Sequence, residues 1–128
     1  MRVILGNLAL NNSTFTDGKA SHIQATRSTV SLDSVTIRDS EDLSVEGHGL
    51  WSKSCTVRVT NSTFFGLKSY KSPAIYIHES PNIEQFIELN TFRSNHALGS
   101  TGALFLNNAG IVHIKQNQFI NNLVSDKD

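Results

Sequence analysis

Val59-Thr60-Asn61-Ser62-Thr63-Phe64 and Ile87-Glu88-Leu89-Asn90-Thr91-Phe92 are the two segments whose reading decides the fold. Each opens on an aliphatic residue, closes five positions later on Phe, and carries Thr just before the close. Three more segments align with them without gaps: Leu10 to Phe15, Leu32 to Ile37 and Ile114 to Phe119. The position before the close holds Thr14, Thr36, Thr63, Thr91 and Gln118. Two residues before the opening stand Leu8, Val30, Val57, Gln85 and Val112, all aliphatic except Gln85. The openings are 22, 27, 28 and 27 residues apart. Agreement in three columns across five segments is an internal repeat, and a period of this size signals a solenoid.

A second strand-like segment lies between the hexads. Ala74-Ile75-Tyr76-Ile77 matches Ala103-Leu104-Phe105-Leu106, and Gly49-Leu50-Trp51-Ser52 matches both more weakly. Turn-rich stretches surround them at 38–42, 66–73 and 94–102. Helical periodicity is missing, and short β-branched or aromatic runs between Ser, Asn and Gly clusters read as strands. A unit of 22–28 residues with two or three short strands cannot bury its own apolar face. Stacked coil on coil at about 4.8 Å it can, because like positions pile into ladders. The closing residues Phe15, Ile37, Phe64, Phe92 and Phe119 then form a core ladder, with a Thr row beside it. Asn is enriched at the bend before Phe: Asn12 and Asn61 in one register, Asn90 and Asn117 one residue later. Such corners suit a residue that tolerates left-handed backbone. Leucine-rich repeats would need an L-x-x-L-x-L-x-x-N frame that this chain does not keep. A β-sandwich would not demand five equivalent hexads. The expected fold is an all-β, single-stranded parallel β-helix of about five coils.

Asn61-Ser62-Thr63-Phe64, the run Ser94 to Leu106, and Asn117 to Leu123 resemble the pectin-lyase-like right-handed β-helices. The resemblance is closest to the N-x-x-F-x-x-N-x-A…G-G-A-I-x-I coils of polymorphic outer-membrane proteins and of large β-helical surface proteins in protists. It covers about residues 8–123 and is fullest from Phe92 to Leu106. The first two coils are degenerate, and Thr101-Gly102 stands in place of the Gly pair. The resemblance implies a right-handed coil. It says little about activity, because this scaffold hosts lyases, glycosidases, adhesins and inert stalks alike.

The chain's 128 residues make one domain, 1–128, with repeats opening near 10, 32, 59, 87 and 114 and a polar tail at 124–128. Eleven basic and eleven acidic residues leave no net charge, which excludes the basic footprint of nucleic-acid or anionic-membrane binding. Ser, Thr and Asn number 16, 10 and 12, while charged residues are only 17%. No apolar run reaches the roughly 20 residues of a membrane span. The first ten residues are broken by Gly6 and Asn7 and do not read as a signal peptide. The single Cys55 excludes an internal disulfide, and no Cys/His cluster has zinc spacing. Gly47-His48-Gly49 is too short for a phosphate loop.

Polysaccharide chemistry on such a scaffold needs carboxylates on neighbouring coils, as acid and base or as calcium ligands. Asp17 and Asp39 both fall two residues after the closing column, which puts them on adjacent coils as the candidate catalytic pair. The same column continues as Gly66, Ser94 and Asn121, so it also reads as a turn position. The run Asp39-Ser40-Glu41-Asp42 is a candidate calcium loop or a solvated one; no other cofactor and no other metal is expected. No Arg stands beside these carboxylates in the ladder frame in the manner of a lyase base. The five histidines form no column or i,i+4 pair and read as surface or strand-face residues. Cys55 reads as packing, since no repeat position sets a base beside it.

Two features carry more weight. Trp51, Tyr76 and Phe105 share a column, with Leu50, Ile75 and Leu104 at the opposite parity. If the aliphatics point inward the aromatics form an exposed ladder for sugars or a docking partner; if not, they are core. Asn11, Asn12 and Asn61 head N-x-S/T triplets and are candidate glycan acceptors. The expected function is a non-catalytic, extracellular or cell-surface structural or adhesive module. Its rod is about 24 Å long and has no capping helix at either end. Its partners are then copies of itself end to end, or neighbouring coils of a longer chain, and glycans. The alternative is a β-helix that binds or cleaves acidic polysaccharide.

Overall fold

The computed structural model describes residues 1–44, 48–71, 73–99 and 102–125. Gly47, Thr101 and the charged end of the tail (126–128) lie outside them. The described residues are all β, without a helix. The first rung runs through β1 (Arg2–Ile4), β2 (Asn7–Asn11) and β3 (Thr14–Thr16). The second uses β4 (Ile23–Thr26), β5 (Thr29–Asp33) and β6 (Thr36–Asp42), and the third β7 (Leu50–Lys53), β8 (Thr56–Thr60) and β9 (Thr63–Ser69). The fourth comprises β10 (Ile75–His78), β11 (Glu84–Glu88), β12 (Thr91–Arg93) and β13 (His96–Leu98). The last comprises β14 (Leu104–Asn107), β15 (Ile111–Lys115), β16 (Gln118–Ile120) and β17 (Leu123–Ser125).

Every strand pairs in parallel with its counterpart one rung away. The first wall orders β1-β4-β7-β10-β14 and the second β2-β5-β8-β11-β15. The third stacks β3, β6, β9, β12 and β16, and the long β9 also pairs β13, which continues to β17. Five rungs make about four turns, close to the five coils expected from the repeats. The repeat columns are literal neighbours: Leu10, Leu32, Val59, Ile87 and Ile114 pair in succession. So do Phe15, Ile37, Phe64, Phe92 and Phe119.

Alternation along each strand sends one side chain in and the next out. Inside are Val30, Leu32, Val57, Val59, Ile75, Ile77 and Ile87, all buried. Phe64 and Phe92 stack with centroids 5.2 Å apart and planes 11° from parallel. Gly49 runs so close to the Ala74 carbonyl that a Cβ there would lie 2.5 Å from it, so this approach admits no side chain.

The corners repeat as strictly as the walls. Leu5, Arg27, Ser54, Glu79 and Asn108 turn the chain from the first wall to the second, all with positive φ. Asn12, Ser34, Asn61, Leu89 and Gln116 do the same from the second to the third. A left-handed residue at each bend lets the strand pairing run up to the corner and resume after it. Asn12 and Asn61 therefore occupy left-handed corners, as the sequence suggests, whereas Asn90 and Asn117 do a different job. Asn90 turns inward, accepts a hydrogen bond at Oδ1 from the Ser62 N–H (2.9 Å) and donates from Nδ2 to the Val59 carbonyl (2.8 Å). Asn117 makes the same pair of bonds to Asn90 N–H and Ile87 O. Asn95 and Asn122 repeat the device at the next bend. These amides satisfy backbone groups that the bend takes out of the ladder.

Candidate functional site

The outer face of the first wall carries the aromatic column. Ile23, Leu50, Ile75 and Leu104 point into the core, so Gln24, Trp51, Tyr76 and Phe105 point out. Outward does not mean bare. Tyr76 and Phe105 stack at 4.7 Å with planes 7° apart, and Tyr76 is only 4% exposed. The Lys71 ammonium lies 5.8 Å from both ring centroids. His78 sets its ring edge against Trp51 at 4.9 Å and against Tyr76 at 5.1 Å. Trp51 and Phe105 are half-buried and flank this cluster, leaving part of each ring open to a flat ligand.

Asp17 and Asp39 stand where the repeat ruler puts them, two residues past the closing column. Both have positive φ (56° and 52°), and Gly66, Ser94 and Asn121 follow in the same conformation. The column is a left-handed bend, which explains its preference for Asp, Asn, Ser and Gly without chemistry. An Arg does stand beside this column: Arg38 Nη1 donates to Asp39 Oδ2 at 3.2 Å, with both side chains about half exposed. It is the preceding residue in the chain, so the ladder frame hid it. Within the acidic run, Glu41 pairs with Lys68 one rung on, and Asp42 Oδ1 accepts from Ser44 N–H and Oγ. Those two bonds pull the Asp42 carboxyl below the usual range. Among the described residues no three His, Cys, Asp or Glu side chains converge on a metal-sized site.

Asn11, Asn12 and Asn61 are all exposed. Asn12 and Asn61 lie at the same corner with Ser34 between them, and Asn61 Nδ2 donates to Asp33 Oδ1 (3.0 Å). With Thr60, that bond lowers the Asp33 carboxyl below its ordinary range.

His22 and His48 depart from the reading of the histidines as surface residues. Both are buried, their rings are 5.5 Å apart, and His22 packs edge-on to Phe15 at 5.9 Å. His22 Nε2 bonds Ser40 Oγ at 2.7 Å. The turns that lead into β4 and β7 differ in length, so no column in the sequence joins these two. Burial lowers both imidazoles below 6.5, and for His22 the neighbouring His48 adds to it. Cys55 is buried packing; burial raises its thiol, whose S–H donates to the Lys53 carbonyl. It occupies the column of Ser28 and Ser80, which make the equivalent bonds to Thr26 O and His78 O.

Gln85 was the odd member of an aliphatic column. It is fully buried, and its amide accepts from Val57 N–H (2.6 Å) and donates to Cys55 O (2.9 Å). On the outside of the second wall, the Arg58 guanidinium lies 4.5 Å above Phe86, which stacks on His113 at 4.8 Å. An open, mostly polar groove of about 500 Å³ follows the first corner past Gly6, Arg27, Ser28 and Ser54.

The ends are the least satisfied surfaces. At the last rung Ile111, Ile114, Phe119 and Leu123 are 67, 46, 50 and 54% exposed; at the first, Met1, Ile4 and Leu5 are exposed. No protein-family model matches the chain, and neither the curated proteins nor the solved structures yield a match.

Proposed function

We propose that this chain is a non-catalytic structural or adhesive β-solenoid module of the extracellular space or cell surface, and that it works through its open ends. The observation that carries the reading is the last rung. Its inward residues Ile114 and Phe119 continue the core ladders and are left about half exposed. A strand edge that is both unpaired and apolar is what β proteins ordinarily blunt with charge or a cap. Kept in this state, it suits further rungs, whether from another copy or from neighbouring coils of a longer chain. Membership of the pectin-lyase-like β-helices, nearest to outer-membrane and protist surface repeats, belongs to the same proposal and rests on the N-S-T-F and G-A-L-F-L motifs. The exposed Asn11, Asn12 and Asn61 support a secreted setting, because an acceptor must be reachable to carry a glycan. Light scattering over a range of concentrations tests the reading. Particles heavier than one 14.1 kDa chain are expected to grow with concentration, and a stable single chain at high concentration overturns the end-to-end assembly of copies.

A second reading has one observation in its favour: Trp51 and Phe105 face outward and stay partly open. Binding of acidic polysaccharide would use these rings as a stacking platform, with Lys53 and Lys71 close by. Cleavage would require Asp17 and Asp39. Titration with polygalacturonate separates the cases: binding lost in Trp51→Ala favours the platform, and turnover lost in Asp17→Asn with Asp39→Asn favours an enzyme.

A further inference from the structure

The two ends of the solenoid are the two halves of one of its own internal joints. We propose that a second copy of this chain adds its first rung to the last rung of this one, in a single register. In that register Ile111–Asn122 lies under Asn7–Gly18 and Phe105–Ala109 lies under Arg2–Gly6. The inference rests on the end-to-end reading above and specifies its geometry.

The register is the one that the interior steps already define. Carried one rung onward, the pairings that join Leu10 to Ile114 and Phe15 to Phe119 place Ile114 under Leu10 and Phe119 under Phe15. Val112 comes under Leu8 by the same rule. Ile111–Asn122 meets Asn7–Gly18 residue for residue without a gap, apolar on apolar in the columns of Val112, Ile114 and Phe119 and polar on polar where Asn117 meets Ser13. The left-handed corners match as well: Asn108 with Leu5, Gln116 with Asn12, and Asn121 with Asp17, all between φ 48° and 56°. No column sets two like charges together. Phe105 meets Arg2, and the fold already uses that order of rungs where Arg93 lies over Phe65 at 5.8 Å.

One hydrogen bond makes the joint specific. At the corner before the closing residue, the third, fourth and fifth rungs each send a side-chain oxygen back to the N–H of the rung before, while the second rung, with Val35 there, sends none. Ser62 Oγ accepts from Val35 N–H (3.1 Å), Asn90 from Ser62, and Asn117 from Asn90. Ser13 stands in this column on the first described rung. Its hydroxyl already donates to Asn11 O at 3.0 Å, just as Ser62 donates to Thr60 O at 2.8 Å. The Ser13 oxygen is therefore turned to accept one more N–H, and Asn117 of the preceding copy supplies it.

The register can be read with cysteines on the outer face of the third wall. Thr16 and Ile120 share a column there, and both are exposed. Across the joint their Cα atoms would stand about 4.8 Å apart, within disulfide reach. Thr14 is two residues off, beyond that reach. The background is Cys55→Ser, which keeps the hydroxyl pattern of Ser28 and Ser80. Under mild oxidation, Thr16→Cys with Ile120→Cys should give a ladder of covalent multimers on a denaturing gel. Thr14→Cys with Ile120→Cys should stay at one chain. Multimers by light scattering without the in-register ladder, or with equal ladders from both pairs, overturn this joint and leave the end-to-end reading standing. A single chain by light scattering in both variants and in the native protein overturns the two together. Phe119→Asp supplies the remaining control: it should return the particle to one chain, with the β-sheet circular-dichroism signal kept, and association that persists counts against the joint.

Discussion

Phe92 and Phe119 are the same residue in the same column, one rung apart, and they fare differently. Phe92 has stacked rings on both sides, at 5.2 Å and 4.9 Å, and is wholly buried. Phe119 stacks as well on Phe92, with planes 9° apart, yet half of it faces water. Both hexads share the Ile opening, the Asn at the bend and the closing Phe. In a solenoid, burial belongs to the interface between rungs, so a residue is core only if both neighbours exist. Truncation should expose this difference most sharply. Phe92→Ala is expected to cost about 3–5 kcal/mol, since it removes a ring and leaves a cavity between two others. Phe119→Ala, at concentrations where the chain is single, should cost about 1–2 kcal/mol. Chemical denaturation of both variants checks it, and equal losses would mean that the last rung is covered in solution.

The amides give the same comparison with polar groups. Asn90 and Asn117 each tie down one N–H and one carbonyl of the rung before, but Asn90 does so in the buried interior. Asn90→Ala leaves Ser62 N–H and Val59 O without partners away from water, at about 2–4 kcal/mol for the two groups. Asn117 is itself only half-buried on the last rung, so Asn117→Ala opens the Asn90 N–H and the Ile87 carbonyl to water and should cost about 1 kcal/mol or less. Hydrogen exchange at the Ser62 and Asn90 amides reads the two variants separately. A similar rate increase in both would break the contrast between interior and end.

How far the sequence foretold this depends on whether a residue acts within its column. The hexads were legible because stacking forces like positions into contact, so Leu10 through Ile114 and Phe15 through Phe119 could be placed by counting. Asp17 and Asp39 were legible as bends for the same reason, from the Gly66, Ser94 and Asn121 beneath them. Gln85 was visible only as an exception. Its use depends on backbone groups at Cys55 and Val57 that lose their partners at one corner, and no side-chain pattern announces that. Whether the Trp51 column faced in or out was undecided by parity alone, and of the groups that cover Tyr76, His78 lies two residues on along the same strand while Lys71 comes from the path of a turn. The His22–His48 contact joins positions that no column relates.

That contact gives a milder test, and one tied to the first half of the solenoid. Burial holds both imidazoles below 6.5, so the unfolded chain takes up protons at a higher pH than the folded one. Stability is then fully present above that value and falls as the pH drops below it towards the folded-state values. Asp17 facing His22 and Asp42 facing His48 oppose the shift, while the terminal amine adds to it at His22. Thermal melts between pH 7.5 and 5 should show a declining midpoint in the native chain and a shallower decline in His48→Leu. Identical slopes would remove His48 from the account. Among the described residues the fourth and fifth rungs hold no such pair, so exchange at β11 amides should follow acidification less than exchange at β4.

The smallest effect is expected at a corner that breaks its own column. Asn12, Ser34, Asn61 and Gln116 are the polar neighbours of Leu89, which holds φ at 59° with half its side chain in water. A left-handed backbone crowds the Cβ of an ordinary residue against the following carbonyl, and an exposed Leu gains little packing in return. Asn adopts this region more readily, because its short polar side chain hydrogen-bonds locally. Leu89→Asn should therefore stabilise the fold by about 0.5–1 kcal/mol. It also removes an apolar group from the lateral surface without touching either end. If association runs through the ends, multimers of Leu89→Asn should form as in the native chain while its melting midpoint rises. A loss of multimers in this variant would move the contact from the ends of the rod to its side.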